Sequence, residues 1–184
     1  MVGAMTIVPD DKNWTWVLER ACPECGFDAA SVELNEIGAK IRSMNSAWEA
    51  ALGRPSARDR PAPSVWSPLE YACHVRDVYR VFDGRLALML VEDHPTFANW
   101  DQDATAIEDR YDEQDPTTVA TALVEAAEVL ATRFDGVGDD QWTRTSERSD
   151  GSVFTVDSFA RYLLHDPIHH LRDVGEPFDD VDRH

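Results

Sequence analysis

Apolar residues recur at intervals of three and four along four stretches of the chain, and each stretch reads as one buried helical face. Between Ala29 and about Leu52 the stripe is Leu34, Ile37, Ile41, Met44 and Trp48, with Gly53 placed as a stop. The run from Arg54 to Pro63 carries three prolines and four charges and reads as a solvent loop. Ser67-Pro68-Leu69-Glu70 then forms a strong helix start: a hydroxyl N-cap, proline at the first helical position, and a glutamate placed for a capping box. The second helix follows to about Glu92 on Tyr71, Val75, Val78, Phe82, Leu86 and Met89, with His74 at the margin of that face.

From His94 to Asp115 no period is sustained. This stretch holds Pro95, Asn99-Trp100-Asp101-Gln102-Asp103 and a dense acidic run, and reads as a long crossover with a short helical turn, long enough to be a lid or pocket wall. Asp115-Pro116 repeats the start signal, and Val119, Leu123, Ala126, Leu130 and Phe134 carry a third helix to about Gly136. Trp142 to Thr145 and Ser152 to Thr155 flank Ser149-Asp150-Gly151, the pattern of a small hairpin around an Asp-Gly turn. Thr155 caps a fourth helix, from about Val156 to about Val174. Residues 1–27 read as an irregular arm laid over the domain by Trp14 and Trp16, and residues 175–184 as a mobile acidic tail. The sum is an all-α protein: one domain over 1–184, a four-helix bundle with a long crossover between the second and third helices and a small hairpin before the fourth.

Length and charge narrow the field of functions. A chain of 184 residues buries a real core without staples. Its 17 Lys and Arg face 35 Asp and Glu, for a formal charge of -18 and a pI near 4.5. Such a surface repels phosphate backbones and anionic lipid, so neither nucleic acid nor membrane is an expected partner. Met1 to Pro9 lacks the basic start and apolar run of a signal peptide, and no apolar stretch elsewhere is long enough to span a bilayer. Three cysteines do not suggest a disulfide framework. The expectation is a soluble, cytoplasmic protein.

Three of the six histidines fall within residues 165–170. Residues four apart on a helix share a face, roughly 6 Å apart along the axis, so His165 and His169 make a two-imidazole clip. A catalytic zinc-type ion takes three protein ligands and keeps a position for water, so a third ligand must come from elsewhere. His74 is the natural one, being the other histidine inside an expected helix at a core edge. The bland alternative stands beside this: single histidines at a core edge are commonly hydrogen-bonded core residues, and i,i+4 pairs also occur on solvent faces. His170 points about 100° away from the clip and reads as a packing or hydrogen-bonding residue. Asp166 and Asp173 are candidate carboxylates behind the ligands, Asp173 placed one turn beyond His169 to hold an imidazole tautomer; Asp166 reads equally as solvated. The stretch is not the H-E-x-x-H of zinc proteases. Aspartate is a methylene too short for the base, and Pro167 removes the helix bond to the Leu163 carbonyl, which predicts a kink or local opening. Cys22-Pro23-Glu24-Cys25 reads as half a zinc knuckle, a redox pair or a chance pair: a structural zinc needs four ligands and no second Cys-x-x-Cys exists. Cys73 reads as a small buried residue.

Trp66-Ser67-Pro68-Leu69-Glu70-Tyr71-Ala72-Cys73-His74 resembles the W-[ST]-x-x-E-x-x-x-H opening of the second helix in the DinB-like superfamily, also called DinB/YfiT-like metalloenzymes. His165-Asp166-Pro167-Ile168-His169-His170 resembles that superfamily's H-x-x-x-H-H closing motif. The resemblance runs from about residue 30 to 174, with the helices in matching order. It implies a four-helix bundle in which His74, His165 and His169 bind a divalent metal, zinc or nickel among others. Characterised relatives include mycothiol-dependent maleylpyruvate isomerase and bacillithiol transferases. The resemblance therefore implies a metal-dependent transferase or isomerase acting on a small molecule with a low-molecular-weight thiol, since a dication favours thiolate over thiol. Trp100 and Asp101 would wall its pocket. Two other readings remain open: a hydrolase using water activated at the same ion with a nearby carboxylate as base, and a non-enzymatic metal-binding or stress-response module. Bundles of this type often pair through exposed helix faces, so a homodimer is also an expectation.

Overall fold

The computed structural model describes residue 7, residues 13–176 and residue 178. The other residues of the expected arm and of the expected acidic tail lie outside the described residues.

The stretch expected as one helix from Ala29 is divided. Asp28 Oδ1 accepts from the Ala30 amide at 3.1 Å and the Ser31 hydroxyl donates to the Asp28 carbonyl at 2.8 Å. Such local bonds compete with a helix. Ala29–Ser31 and Leu34–Glu36 are accordingly single 3-10 turns, and regular helix begins at α1 (Ile37–Ser43) and continues, after a break at Met44, as α2 (Asn45–Leu52). Ile37, Ile41, Met44 and Trp48 are nonetheless all fully buried, so the stripe keeps one face through the break.

The next helix, α3 (Pro68–Val91), starts where its signal predicts. Ser67 Oγ accepts from the Glu70 amide at 3.3 Å and Glu70 Oε2 accepts from the Ser67 amide at 2.8 Å. The crossover holds more structure than expected: β1 (Thr96–Phe97), α4 (Gln102–Glu108) capped by Asp101, and a 3-10 turn at Tyr111–Glu113. Asp115 caps α5 (Pro116–Asp135), which stops at Gly136. The hairpin is β2 (Thr145–Arg148) and β3 (Val153–Thr155). Its first strand lies later than the expected Trp142 start, because Gln141 and Arg144 close turns with Gly138 and Gln141 and Trp142 stacks on Phe134. β1 runs parallel to β2, pairing Thr96 with Glu147 and Phe97 with Arg148, while β2 and β3 are antiparallel. The protein is therefore mostly helical, as expected, with the expected hairpin extended by β1 into a three-stranded sheet.

Thr155 caps α6 (Val156–Asp173), whose end is closed by Gly175 at φ +74°: the Gly175 amide reaches the Arg172 carbonyl at 3.0 Å and the Glu176 amide reaches that of Leu171 at 2.8 Å. α6 runs through Pro167 without interruption, although the proline predicts a kink or opening there. Leu163, Leu164 and Leu171 are fully buried around it and hold the helix against its neighbours.

α5 packs between α1 and α3, and α6 packs on α3 and α1. Gly38 allows the close approach of α1 to α5, since a Cβ there would lie 2.9 Å from the Ala131 carbonyl oxygen. The 3-10 turns at Trp14–Leu18 and Ala29–Ser31 lie against α6, where Arg161 donates to the carbonyls of Ala29 and Val32. Among the described residues no helix is long and apolar enough to cross a membrane.

Candidate metal centre

α6 carries two interleaved pairs four residues apart: His165 with His169, and Asp166 with His170. Offset by one residue, they point about 100° apart and meet different neighbours. The His165 and His169 rings lie 5.1 Å apart and face the N-terminal segment. There Cys22 Sγ is 3.8 Å from His169 Nδ1, and Trp14 lies 5.2 Å from both imidazoles. One donor atom from each of Cys22, Cys25, His165 and His169 falls within 4.8 Å of all the others. Asp166 and His170 face α3. His74 Nε2 lies 3.4 Å from Asp166 Oδ2, the His74 and His170 rings are 5.1 Å apart, and donors of these three also converge within 4.8 Å.

The structure thus brings His165 and His169 together, and brings His74 to Asp166 and His170. All five line one cleft of about 580 Å³. Trp100 and Asp101 line it too. Trp100 stacks on the His74 ring at 5.5 Å with its indole N–H donated to Thr105 Oγ1, and Asp101 Oδ1 accepts from the Ala104 amide as the cap of α4. Asp173 lies beside the other histidine: its Oδ2 is 2.9 Å from His170 Nδ1 but 3.9 Å from His169 Nε2. His170 is the member that spacing from His165 left out. Its own i,i+4 partner, Asp166, is the sequence signal for it. Cys73 points elsewhere, 3.5 Å from Gln114 Oε1, and burial pushes its thiol up to about 12, which fits a small buried residue.

Burial, helped by His169, pulls His165 down to about 4, and burial also lowers His169. Both imidazoles are therefore neutral at ordinary pH, with lone pairs free to bind a cation. Burial works to raise Asp166, but His74 and His170 outweigh it and hold that carboxyl well below the usual range. Asp173 is likewise lowered against its burial by the His170 hydrogen bond. Burial, with Cys22 alongside, pushes Cys25 up to about 12. Three buried polar atoms in these groups have no hydrogen-bond partner among the described residues: His74 Nδ1, Asp166 Oδ1 and His165 Nε2. An unsatisfied buried polar atom costs about 1–3 kcal/mol, so their clustering within converging sets of N, O and S donors fits bound divalent ions.

A family model described as the DinB superfamily matches residues 39–174. The chain belongs to the DinB superfamily. The matched segment contains His74 and all four donors of α6; Cys22 and Cys25 precede it. Among solved structures, YfiT from Bacillus subtilis matches with a TM-score of 0.61 at 18% identity, covering 92% of each chain. That protein is described as a probable metal-dependent hydrolase with an unusual four-helix bundle topology. At this identity the likeness is one of fold. A search of curated proteins finds no match. The DinB assignment agrees with the resemblance carried by the Trp66 to His74 and His165 to His170 motifs.

Proposed function

We propose that this DinB superfamily member is a metal-dependent hydrolase of a small molecule, with a divalent ion, zinc or nickel, held by His74, Asp166 and His170. The observation that carries the reading is the convergence of these three donors on the cleft wall, two of them with buried atoms that have no hydrogen-bond partner among the described residues. We read α1 with α2, α3, α5 and α6 as the four rods of a bundle, which puts the ion between facing helices, the usual place for one in this architecture. Two imidazoles and one carboxylate make a three-ligand catalytic set. An ion held there supplies Lewis acidity and lowers the pKa of a water or thiol in its open position.

The chain's own side chains prepare the site. Asp173 accepts the Nδ1 proton of His170 and so turns Nε2 toward Asp166. Trp66 and Trp100, 5.4 and 5.5 Å from the His74 ring, shield that imidazole from water. Arg85 lies three turns beyond His74 on α3, about 16 Å along the axis, and lines the same cleft. Its guanidinium donates to the Ala98 carbonyl at 2.8 Å and sits 4.8 Å over the Phe97 ring. Burial lowers it to about 10, so it stays charged at neutral pH and suits a substrate with an anionic group remote from the ion.

YfiT, which shares the fold, supports the hydrolase reading. A thiol-dependent transferase or isomerase is the second reading, favoured by the length of cleft between His74 and Arg85, which has room for a low-molecular-weight thiol beside its co-substrate. Elemental analysis of wild type beside a His74→Ala, His170→Ala double variant tests the centre. Loss of one ion per chain, together with loss of turnover across an ester and amide panel, is the expected result, and equal metal content would overturn it. If His170→Ala alone keeps every ion while His165→Ala with His169→Ala loses the cleft ion, the ligand set is instead His74, His165 and His169. Cobalt-loaded Cys22→Ser, Cys25→Ser protein separates the reactions. A sulfur-to-cobalt band on adding a small thiol selects transfer, and an unchanged spectrum across several thiols selects hydrolysis.

A further inference from the structure

We infer a second metal site, a closed Cys2His2 zinc site formed by Cys22, Cys25, His165 and His169, that fastens the N-terminal segment to α6. The two halves come from opposite ends of the chain. The Cys22 amide donates to the Phe27 carbonyl at 2.8 Å and the Gly26 amide to the Cys22 carbonyl at 2.9 Å, a tight loop that needs Gly26 at φ +77°. That loop supplies two thiols from one side. The His165 and His169 clip supplies two imidazoles from the other, and the four donors already lie within 4.8 Å of one another.

Tetrahedral zinc with S and N ligands sets its donors roughly 3.3–3.8 Å apart, so the set closes on an ion by movements of about 1 Å. Cys22 Sγ and His169 Nδ1, at 3.8 Å, are already there. Cys22, His165 and His169 are only 1%, 4% and 8% exposed, and His165 Nε2 is buried with no hydrogen-bond partner among the described residues. His169 Nε2 is 3.7 Å from Glu24 Oε2, the placement of a carboxylate behind a metal-binding imidazole. Two thiolates balance a dication, so the filled site is neutral and suits its burial beside Phe27 and Trp14. Soft sulfur with imidazole in a tetrahedral set selects zinc. A redox pair has no use for two converging imidazoles. With four protein ligands the site has no open position, which makes it structural: it secures Trp14 and Glu24, both in the cleft wall.

This site is independent of the one at His74, and the two are read separately by cobalt substitution and metal counting. Cobalt-loaded wild type, with no thiol added, is expected to show a sulfur-to-cobalt charge-transfer band that survives His74→Ala, His170→Ala and vanishes in Cys22→Ser, Cys25→Ser, each double variant holding one ion fewer than wild type. His165→Cys keeps a zinc-competent donor and is expected to retain the ion. The inference is overturned if cobalt-loaded wild type shows no such band, or if the serine variant keeps the full metal content. One ion per chain with the band present would support this site and refute the one in the cleft. One ion without the band would do the reverse.

Discussion

Nδ1 of His170 lies 2.9 Å from Oδ2 of Asp173, one turn further along α6. The bond fixes which ring nitrogen faces Asp166 and His74. Loss of a carboxylate behind a ligating histidine typically lowers metal affinity by about 10–100-fold. Asp173→Ala should weaken the cleft ion by that factor in a chelator competition. Asp173→Asn, whose amide oxygen still accepts the proton, should recover part of the loss.

Tryptophans divide between the two donor groups. Trp14 sits 5.2 Å from His165 and from His169, whereas Trp66 and Trp100 flank His74. Cobalt or nickel quenches a nearby indole by energy transfer. In the Cys22→Ser, Cys25→Ser background the residual quench should largely disappear when Trp66→Phe and Trp100→Phe are added. In the His74→Ala, His170→Ala background, Trp14→Phe with Trp16→Phe, the latter ring 6.5 Å from His165, should remove most of it. A quench indifferent to which tryptophans remain would contradict the two-site division.

Asp77, one turn along α3 from His74, is a second polar hub. It accepts from Arg76 Nε and Nη2 at 2.9 and 2.8 Å, from Arg80 at 3.0 Å and from the Tyr111 hydroxyl at 2.7 Å. Arg76 is itself buried, and Asp77→Ala leaves Gln114 as its remaining partner. Breaking such a pair costs about 3–5 kcal/mol, to be read as a lower midpoint in urea at unchanged slope. Burial works to raise the Asp77 carboxyl, but Arg76 and Tyr111 outweigh it and hold it below 3.8. A carboxyl depressed in the folded state stabilises above its unfolded pKa and loses that contribution as pH falls through the folded value. Wild type should therefore lose stability on acidification below about pH 4 more steeply than Asp77→Asn.

At Gly38 a methyl group would lie 2.0 Å from Asp135 Oδ1 and 2.9 Å from the Ala131 carbonyl oxygen. The carboxylate can swing aside, whereas the α5 backbone cannot without opening the helix pair. Gly38→Ala should destabilise by about 1–3 kcal/mol in thermal or denaturant unfolding, the usual cost of overpacking.

The helix starts at Ser67, Asp115 and Thr155 were legible in the sequence because each cap is a local signal, satisfied within three residues. The start of α1 was not, because Asp28 and Ser31 make short-range bonds that the apolar stripe does not register. β1 was hidden for a different reason. Its partner in β2 lies some fifty residues away, and a two-residue strand has no period of its own. At the candidate site the same limit applies. Spacing showed that His165 and His169 share a face and that His170 points away from them; it did not show which face meets α3. Cys22 and Cys25 left a zinc knuckle, a redox pair and a chance pair open because the two imidazoles that converge on them stand at the far end of the chain.

The offset of one residue between the two pairs on α6 gives the helix a phase, and the phase carries chemistry. One residue inserted between Leu164 and His165 would hand the positions of Asp166 and His170 to His165 and His169, completing a three-histidine set with His74. The face turned toward Cys22 and Cys25 would then receive the inserted residue and Ile168. Two proteins presenting different donor atoms to the same two faces are thus a single codon apart, and a gap misplaced by one position in an alignment would confuse them.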